Sequence, residues 1–162
     1  MLCPSQDGVN HINIYSRGKT ALGRMLSNFY RFPISTSDGE FESVEGYWYW
    51  LNICECEEKE ILRTLFGFKA KDKGLRILQH KNCRWDKDFE KKIITAIWYK
   101  FERNLHLLVE DYVKLPFEHY FVFGDKIRDA KNRYPWMITA IDKMRNYAYM
   151  KLSVADFQIL NK

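Results

Sequence analysis

Glu45 is the side chain whose setting could do chemistry. It lies in Gly39-Glu40-Phe41-Glu42-Ser43-Val44-Glu45-Gly46-Tyr47-Trp48-Tyr49-Trp50, two residues after Ser43, a residue suited to cap a helix. In a first helical turn, free N–H groups and the helix dipole favour an ionised carboxylate. Such a carboxylate beside aromatic walls can stabilise an oxocarbenium-like centre or orient a water, as glycoside hydrolysis requires. On physics alone the plainer reading weighs more, in which the acid only compensates the dipole. The aromatic run is a second oddity. Tyr47 to Trp50 are four consecutive large rings, and a helix cannot bury all four on one stripe. Some must face a loop, a partner or a ligand, or wedge between helices and a hairpin. Trp48 and Trp50 stand ~200° apart around the axis and so differ in role. A further segment rich in polar and aromatic groups, Leu26-Ser27-Asn28-Phe29-Tyr30, precedes them.

The elements that must hold these residues can be read from local patterns. Asn10 to Ser16 alternates and reads as a short strand. Arg17 to Gly23 is a loop punctuated by glycine. Phe29–Ile34 and Gly39–Phe41 flank a turn built on Ser37-Asp38-Gly39, which predicts a small hairpin. Ser43 then caps a helix from Val44 to about Glu58, and a second helix over Glu60–Phe66 stops at Gly67. The stretch Phe68–Cys83 reads as basic and irregular, with room for one short helix. Asp86 begins a long helix to about Asn104, in which Phe89, Ile93, Ile97 and Phe101 form one apolar stripe. His106–Val113 continues as a further helix, and Phe117–Phe123 is β-prone up to Gly124-Asp125. Pro135 suits the first turn of a helix that turns Met137, Ile138, Ile141 and Met144 inward, and Ser153 caps a last short one. The pattern implies an α+β fold, helix-dominated, with a small antiparallel β-sheet. With no repeat, low-complexity tract or Pro/Gly-rich linker, residues 1–162 read as a single domain.

Composition narrows the partners. The chain has 162 residues, 46% of them hydrophobic and 16% aromatic, enough for a real core and a lined pocket. No apolar run approaches the ~20 residues of a membrane span. The N-terminus shows no basic and apolar leader pattern, so a cytoplasmic location without membrane contact is expected. Cys54-Glu55-Cys56 is the one close pair among Cys3, Cys54, Cys56 and Cys83, and no further Cys pair or His cluster completes a zinc set. Reduced thiols and no metal are therefore expected. The net charge of +5 is uneven. Residues 1–67 hold 6 Lys/Arg against 9 Asp/Glu, whereas residues 68–162 hold 20 against 12. The basic half suits a partner bearing phosphates, with Lys126, Arg128, Lys131 and Arg133 as candidate contacts; the plainer reading is that Lys and Arg solvate helix faces.

Several motifs resemble, in order and spacing, the signature of the NADAR (YbiA-like) N-glycosidase family. These are Ile12 to Tyr15, Leu26-Ser27-Asn28-Phe29, and Gly39-x-Phe41-x-Ser43-Val44-Glu45-x-Tyr47. Arg84-Trp85 with the later Lys100-Phe101-x-x-Asn104 resembles the family's second block. Phe123-Gly124-Asp125 with Asn132-Arg133 resembles its third. The similarity spans about residues 12–146, and its wording around the aromatic runs is closest to virus-encoded, phage-like members. The resemblance implies hydrolysis of the C1′–N bond between a ribose and the exocyclic amine of a heterocycle, without a cofactor. Family members remove ADP-ribose from guanine bases, or cleave early riboflavin-pathway intermediates. Carried over, Glu45 would be the catalytic carboxylate. Arg24 and Asn28 would lie beside the ribose or phosphate, Trp85 would pack against the ring, and Phe29, Trp48, His119, Tyr120, Gly124 and Asp125 would complete the substrate site. The sequence departs from the family at three places. Gly46 stands where His is common, Asn52 where Lys is common, and Tyr120-Phe121-Val122-Phe123-Gly124 replaces an Asp-x-x-Trp-Gly element. Either His119 or Asp125 supplies the missing polar function, or substrate choice has shifted.

Taken with the charge, the resemblance favours ADP-ribosylated guanine, in a nucleotide or nucleic acid, as substrate of a monomer or weak oligomer. Riboflavin intermediates are the alternative substrate. Two readings from other classes compete: a non-catalytic module binding ADP-ribose or NAD, and a single-stranded nucleic acid binder stacking Trp and Tyr rings over a basic groove.

Overall fold

The computed structural model describes residues 2–80 and 87–160. The fold is α+β and dominated by helices, with small sheets, as expected. By contacts the chain divides into two compact units, Met25–Lys100 and the pair of segments Met1–Arg24 and Phe101–Lys162. Helix α1 (Ala21–Leu26) and helix α4 (Phe89–Glu102) each cross from one unit into the other. No helix among the described residues is long and apolar enough to cross a membrane.

The unit Met25–Lys100 opens with the expected hairpin. Strand β2 (Ile34–Thr36) pairs antiparallel with β3 (Gly39–Phe41), Ile34 opposite Phe41. The tight turn needs a left-handed residue, which Gly39 supplies at φ +111°. Helix α2 (Val44–Asn52) follows, capped by Ser43 as expected: its hydroxyl oxygen accepts the Gly46 N–H at 3.0 Å. The helix ends at Asn52, earlier than the sequence suggests, and residues Glu57–Thr64 wind as a 3-10 helix. The largest departure is helix α3 (Gly67–His80), where the sequence reads as irregular. Its Lys-rich surface hides the apolar period, yet Ala70, Gly74 and Ile77 are all buried. Gly67 starts this helix instead of stopping the preceding one. Gly74 has a packing reason, because a Cβ there would fall 2.2 Å from the Tyr49 ring. Tyr49, Ile53, Leu62 and Ile77 form a core cluster, and Phe89, Ile93 and Ile97 of α4 are buried as the stripe predicts. Cys3 and Cys56 are free, but Cys54 is disulfide-bonded. The expectation of reduced thiols rested on the expected cytoplasmic setting, whereas the geometry of a disulfide requires only proximity in space.

In the other unit, β1 (Ile12–Asn13) pairs in parallel with β4 (Phe117–Glu118), and β5 (Tyr120–Phe123) pairs antiparallel with β6 (Lys126–Asp129). The sequence does not announce β6, since only Ile127 among its residues is apolar. The Asp7 carboxylate anchors the N-terminal segment by accepting the N–H groups of Asn13 and Lys19 at 2.9 and 2.7 Å. The region expected as one helix over His106–Val113 is a 3-10 turn, Leu105–Leu107, followed by α5 (Glu110–Lys114). Helix α6 runs unbroken over Pro135–Leu160, so Ser153 starts no helix of its own. Met137, Ile138, Ile141 and Met144 face inward as expected.

Candidate active site

The site is built at the start of α2. The early N–H groups of a helix have no intrahelical acceptor. Here the Glu45 N–H donates to the Asn28 carbonyl at 3.0 Å and the Gly46 N–H to Ser43 Oγ, whose own hydroxyl donates to the Leu65 carbonyl at 2.9 Å. The Ser27–Asn28 loop is thereby tied to the residue that carries the carboxylate. It is tied a second time from α4, where Lys100 Nζ donates to the Ser27 carbonyl at 2.8 Å. Glu45 and Lys100 therefore converge on two adjacent residues. Glu45 is 8% exposed and Lys100 not at all.

Burial sets the protonation of both groups. Desolvation pushes the Glu45 carboxyl up from 4.5 to about 7, against the opposing pull of the Lys71 and Lys100 cations. It pushes the Lys100 ammonium down to about 7, against the pull of Glu45. A place in the first turn of a helix favours an ionised Glu45. Desolvation overrides it, because a helix N-terminus contributes ~1 kcal/mol at an exposed site and burial of a charge costs several. The result is a group able to give and take a proton near neutrality, as acid–base chemistry needs.

The aromatic surroundings sort themselves. Trp48 lies one turn beyond Glu45 and so shares its side of α2; it is half-buried, with its ring edge-to-face on Phe89 at 4.7 Å. Phe29 is half-buried against Phe68 at 5.0 Å, and Lys71 Nζ sits 5.8 Å from its ring. Phe68, Lys69, Lys71, Asp72 and Leu75 line an open depression of about 500 Å3 on α3. The remaining rings of the run are structural. Tyr47 donates its hydroxyl to Asp38 at 2.6 Å, and Tyr49 packs on Gly74. Trp50 donates to Glu60 at 2.8 Å and lies under the cations of Lys59 and Arg63 at 3.8 and 4.8 Å.

Compared with solved structures, the chain superposes on the NMR structure of the E. coli protein YbiA over 93% of its own length and 96% of the other, with a TM-score of 0.57 and 17% identity. The fold is that of YbiA. No family model matches the sequence, and no curated protein does.

Within this YbiA-like fold the residues expected at the site fall into three sets. Glu45, Asn28, Phe29 and Trp48 belong to one unit, Met25–Lys100, in which the Glu45 N–H to Asn28 carbonyl bond links the first two. Trp85 lies outside the described residues. Arg24, His119, Tyr120, Gly124 and Asp125 belong to the other unit. There Arg24 donates to the Gly18 and Lys19 carbonyls at 2.9 and 2.6 Å, clamping a loop. Tyr120 is fully buried, and its hydroxyl meets His11 Nε2 at 2.7 Å. Gly124, at φ +55°, and exposed Asp125 form the tip of the β5–β6 hairpin. His119 is half-buried, and burial lowers its pKa. Its Nδ1 lies 2.7 Å from the Ile14 carbonyl; a carbonyl can only accept, so Nδ1 carries the proton and Nε2 of the neutral ring is an acceptor. Of the two residues expected to supply the missing polar function, His119 is half-buried against the Ile14 carbonyl and Asp125 is exposed at the hairpin tip.

At two positions where the sequence departs from the motifs it resembles, the packing is plain. A Cβ on Gly46 would lie 2.4 Å from the Leu62 carbonyl oxygen and 3.0 Å from that of Leu65, so the 3-10 segment leaves no space for His. Asn52 is buried and donates to the Trp48 carbonyl at 2.9 Å, while Lys71 and Lys100 supply positive charge to Glu45. Sequence reasoning missed both lysines as site residues. For Lys100 a signal existed: it follows Ile97 by three residues and Ile93 by seven, on the edge of the apolar stripe. Lys71 gave none, because its helix was not recognised. Among the described residues no group of His, Cys, Asp and Glu could hold a metal ion.

Proposed function

We propose that this chain is a NADAR-type N-glycosidase that hydrolyses the ribose C1′–N bond of a ribosylated heterocycle, removing ADP-ribose from the amino group of guanine. The observation that carries the reading is the buried Glu45, poised near neutrality beside Lys71 and Lys100. The likeness to the YbiA fold and the order of motifs around Glu45 support it.

In its protonated form Glu45 donates a proton to the departing exocyclic nitrogen as the C1′–N bond breaks. The carboxylate left behind takes a proton from the water that attacks C1′. The products are a free sugar hydroxyl and an unmodified amine, and Glu45 is restored. Trp48 lies one turn beyond Glu45 on α2, and Phe29 is next to the Asn28 that binds the Glu45 N–H. The depression beside Lys69 and Lys71 has the volume typical of small-molecule sites and suits phosphates. A substrate with a pyrophosphate matches this charge better than a monophosphate intermediate.

The test is direct. The protein is incubated with an oligonucleotide carrying ADP-ribosylated guanine and, separately, with riboflavin intermediates, and released sugar is read by mass spectrometry. Release of ADP-ribose from the first is expected. Release from the second alone would reassign the substrate, and release from neither by folded protein would refute the hydrolytic reading in favour of a binding module.

A further inference from the structure

The β5–β6 hairpin is largely open to solvent: Tyr120 is the one buried residue of its strands, and all four residues of β6 are exposed. Tyr120, opposite Asp129, is fully buried, and alternation puts Val122 and Ile127 on its side. Phe121, Phe123, Lys126 and Arg128 therefore share the opposite face, with Phe121 paired to Arg128 and Phe123 to Lys126. Rings line this face in a row. Phe121 touches His119 at 5.0 Å, Tyr15 at 5.6 Å and Phe123 at 6.3 Å. Phe123 is 61% exposed. Lys126 and Arg128 are exposed too, and among the described residues neither enters an ion pair. Lys131, expected from sequence to join them, instead pairs with Glu118 at 3.1 Å.

A strand edge that only needed solubility would carry charge without an exposed phenyl ring. Here two rings stand ~6.7 Å apart along one strand, and two unpaired cations stand directly across on the next. That alternation complements a single nucleic acid strand, whose splayed bases stack on rings while its phosphates meet the cations. We propose that this face binds single-stranded nucleic acid, with Phe123 and Phe121 as the stacking platform and Lys126 and Arg128 as phosphate contacts. The proposal deepens the reading of the substrate as a modified guanine and rests on it for its role, but its test does not pass through turnover.

The experiment is fluorescence anisotropy of a labelled, unmodified, mixed-sequence single strand of about 12 nucleotides, titrated with the full chain between about 50 and 200 mM salt. Phe123→Ala should weaken binding about tenfold, the loss of one base–ring contact. The double variant Lys126→Ala/Arg128→Ala should flatten the slope of log K against log salt by about 1.4, ~0.7 for each lost contact. Lys91→Ala, on the exposed side of α4, is the control and should leave both unchanged. Circular dichroism confirms that each variant is folded. An unchanged Kd for Phe123→Ala, or an unchanged slope for the double variant, would overturn the proposal. So would self-association that Phe123→Ala abolishes in a protein that binds no strand. Strand binding without sugar release from the modified substrate would instead sink only the glycosidase reading.

Discussion

Replacing Glu45 by Gln tests the two halves of the site argument together. The change keeps volume and hydrogen-bonding capacity but removes the ionisable group. A carboxyl raised from 4.5 to about 7 resists ionisation by ~3 kcal/mol, taking 1.36 kcal/mol per pH unit. The sign follows from linkage. Between pH 4.5 and about 7 the folded chain holds a proton that the unfolded chain has released, so wild-type stability falls with rising pH through that window. The Gln variant lacks this fall. Lys100, lowered from 10.5 to about 7, makes stability rise with pH mainly above this window. Urea unfolding should therefore show the variant gaining on wild type from pH 4.5 to 7, by up to ~3 kcal/mol from Glu45 alone. In parallel, kcat should drop ~10²-fold or more. An acid that merely complemented the dipole would show the opposite sign and ~1 kcal/mol or less. A flat or reversed stability difference would refute the desolvation argument, and a wild-type rate in the Gln variant would refute the catalytic one.

Lys100→Met removes a cation that lowers the Glu45 pKa, so the limb of the pH–rate profile belonging to Glu45 should move to higher pH; a profile that stays in place would separate Lys100 from the chemistry. Gly46→Ala should destabilise by more than the ~1–3 kcal/mol of ordinary overpacking, because the new methyl meets the Leu62 carbonyl at 2.4 Å. An unchanged urea midpoint would show that the Glu57–Thr64 segment moves aside freely. Ser43→Ala should cost ~1 kcal/mol by losing the N-cap and should also loosen the Leu65 carbonyl it binds, a loss measurable as faster amide exchange at Gly46.

What the sequence determined by itself is what neighbours along the chain decide. Ser43 caps α2 because its side chain reaches an N–H three residues on. The turn before Gly39 closes because glycine tolerates positive φ, and the stripe from Phe89 to Phe101 is buried because its spacing follows the helical repeat. These are short-range facts of backbone geometry and periodicity. Glu45 in the first turn of α2 was legible on the same ground, but its chemistry was not. Whether that carboxyl is ionised depends on water excluded by tertiary packing and on Lys71 and Lys100, 26 and 55 positions further along the chain. The aromatic run shows the same division. Four consecutive rings announce that one stripe cannot hold them, yet only the fold assigns Trp50 to Glu60, Lys59 and Arg63, Tyr49 to the gap at Gly74, and Trp48 to the edge of Phe89. Helix α3 was hidden because lysines dominate its exposed surface, and the absent side chain of Gly46 has meaning only where the Leu62 carbonyl closes over it. Electrostatics and packing act through space, so they were decided by which distant residues the fold brings to the same place.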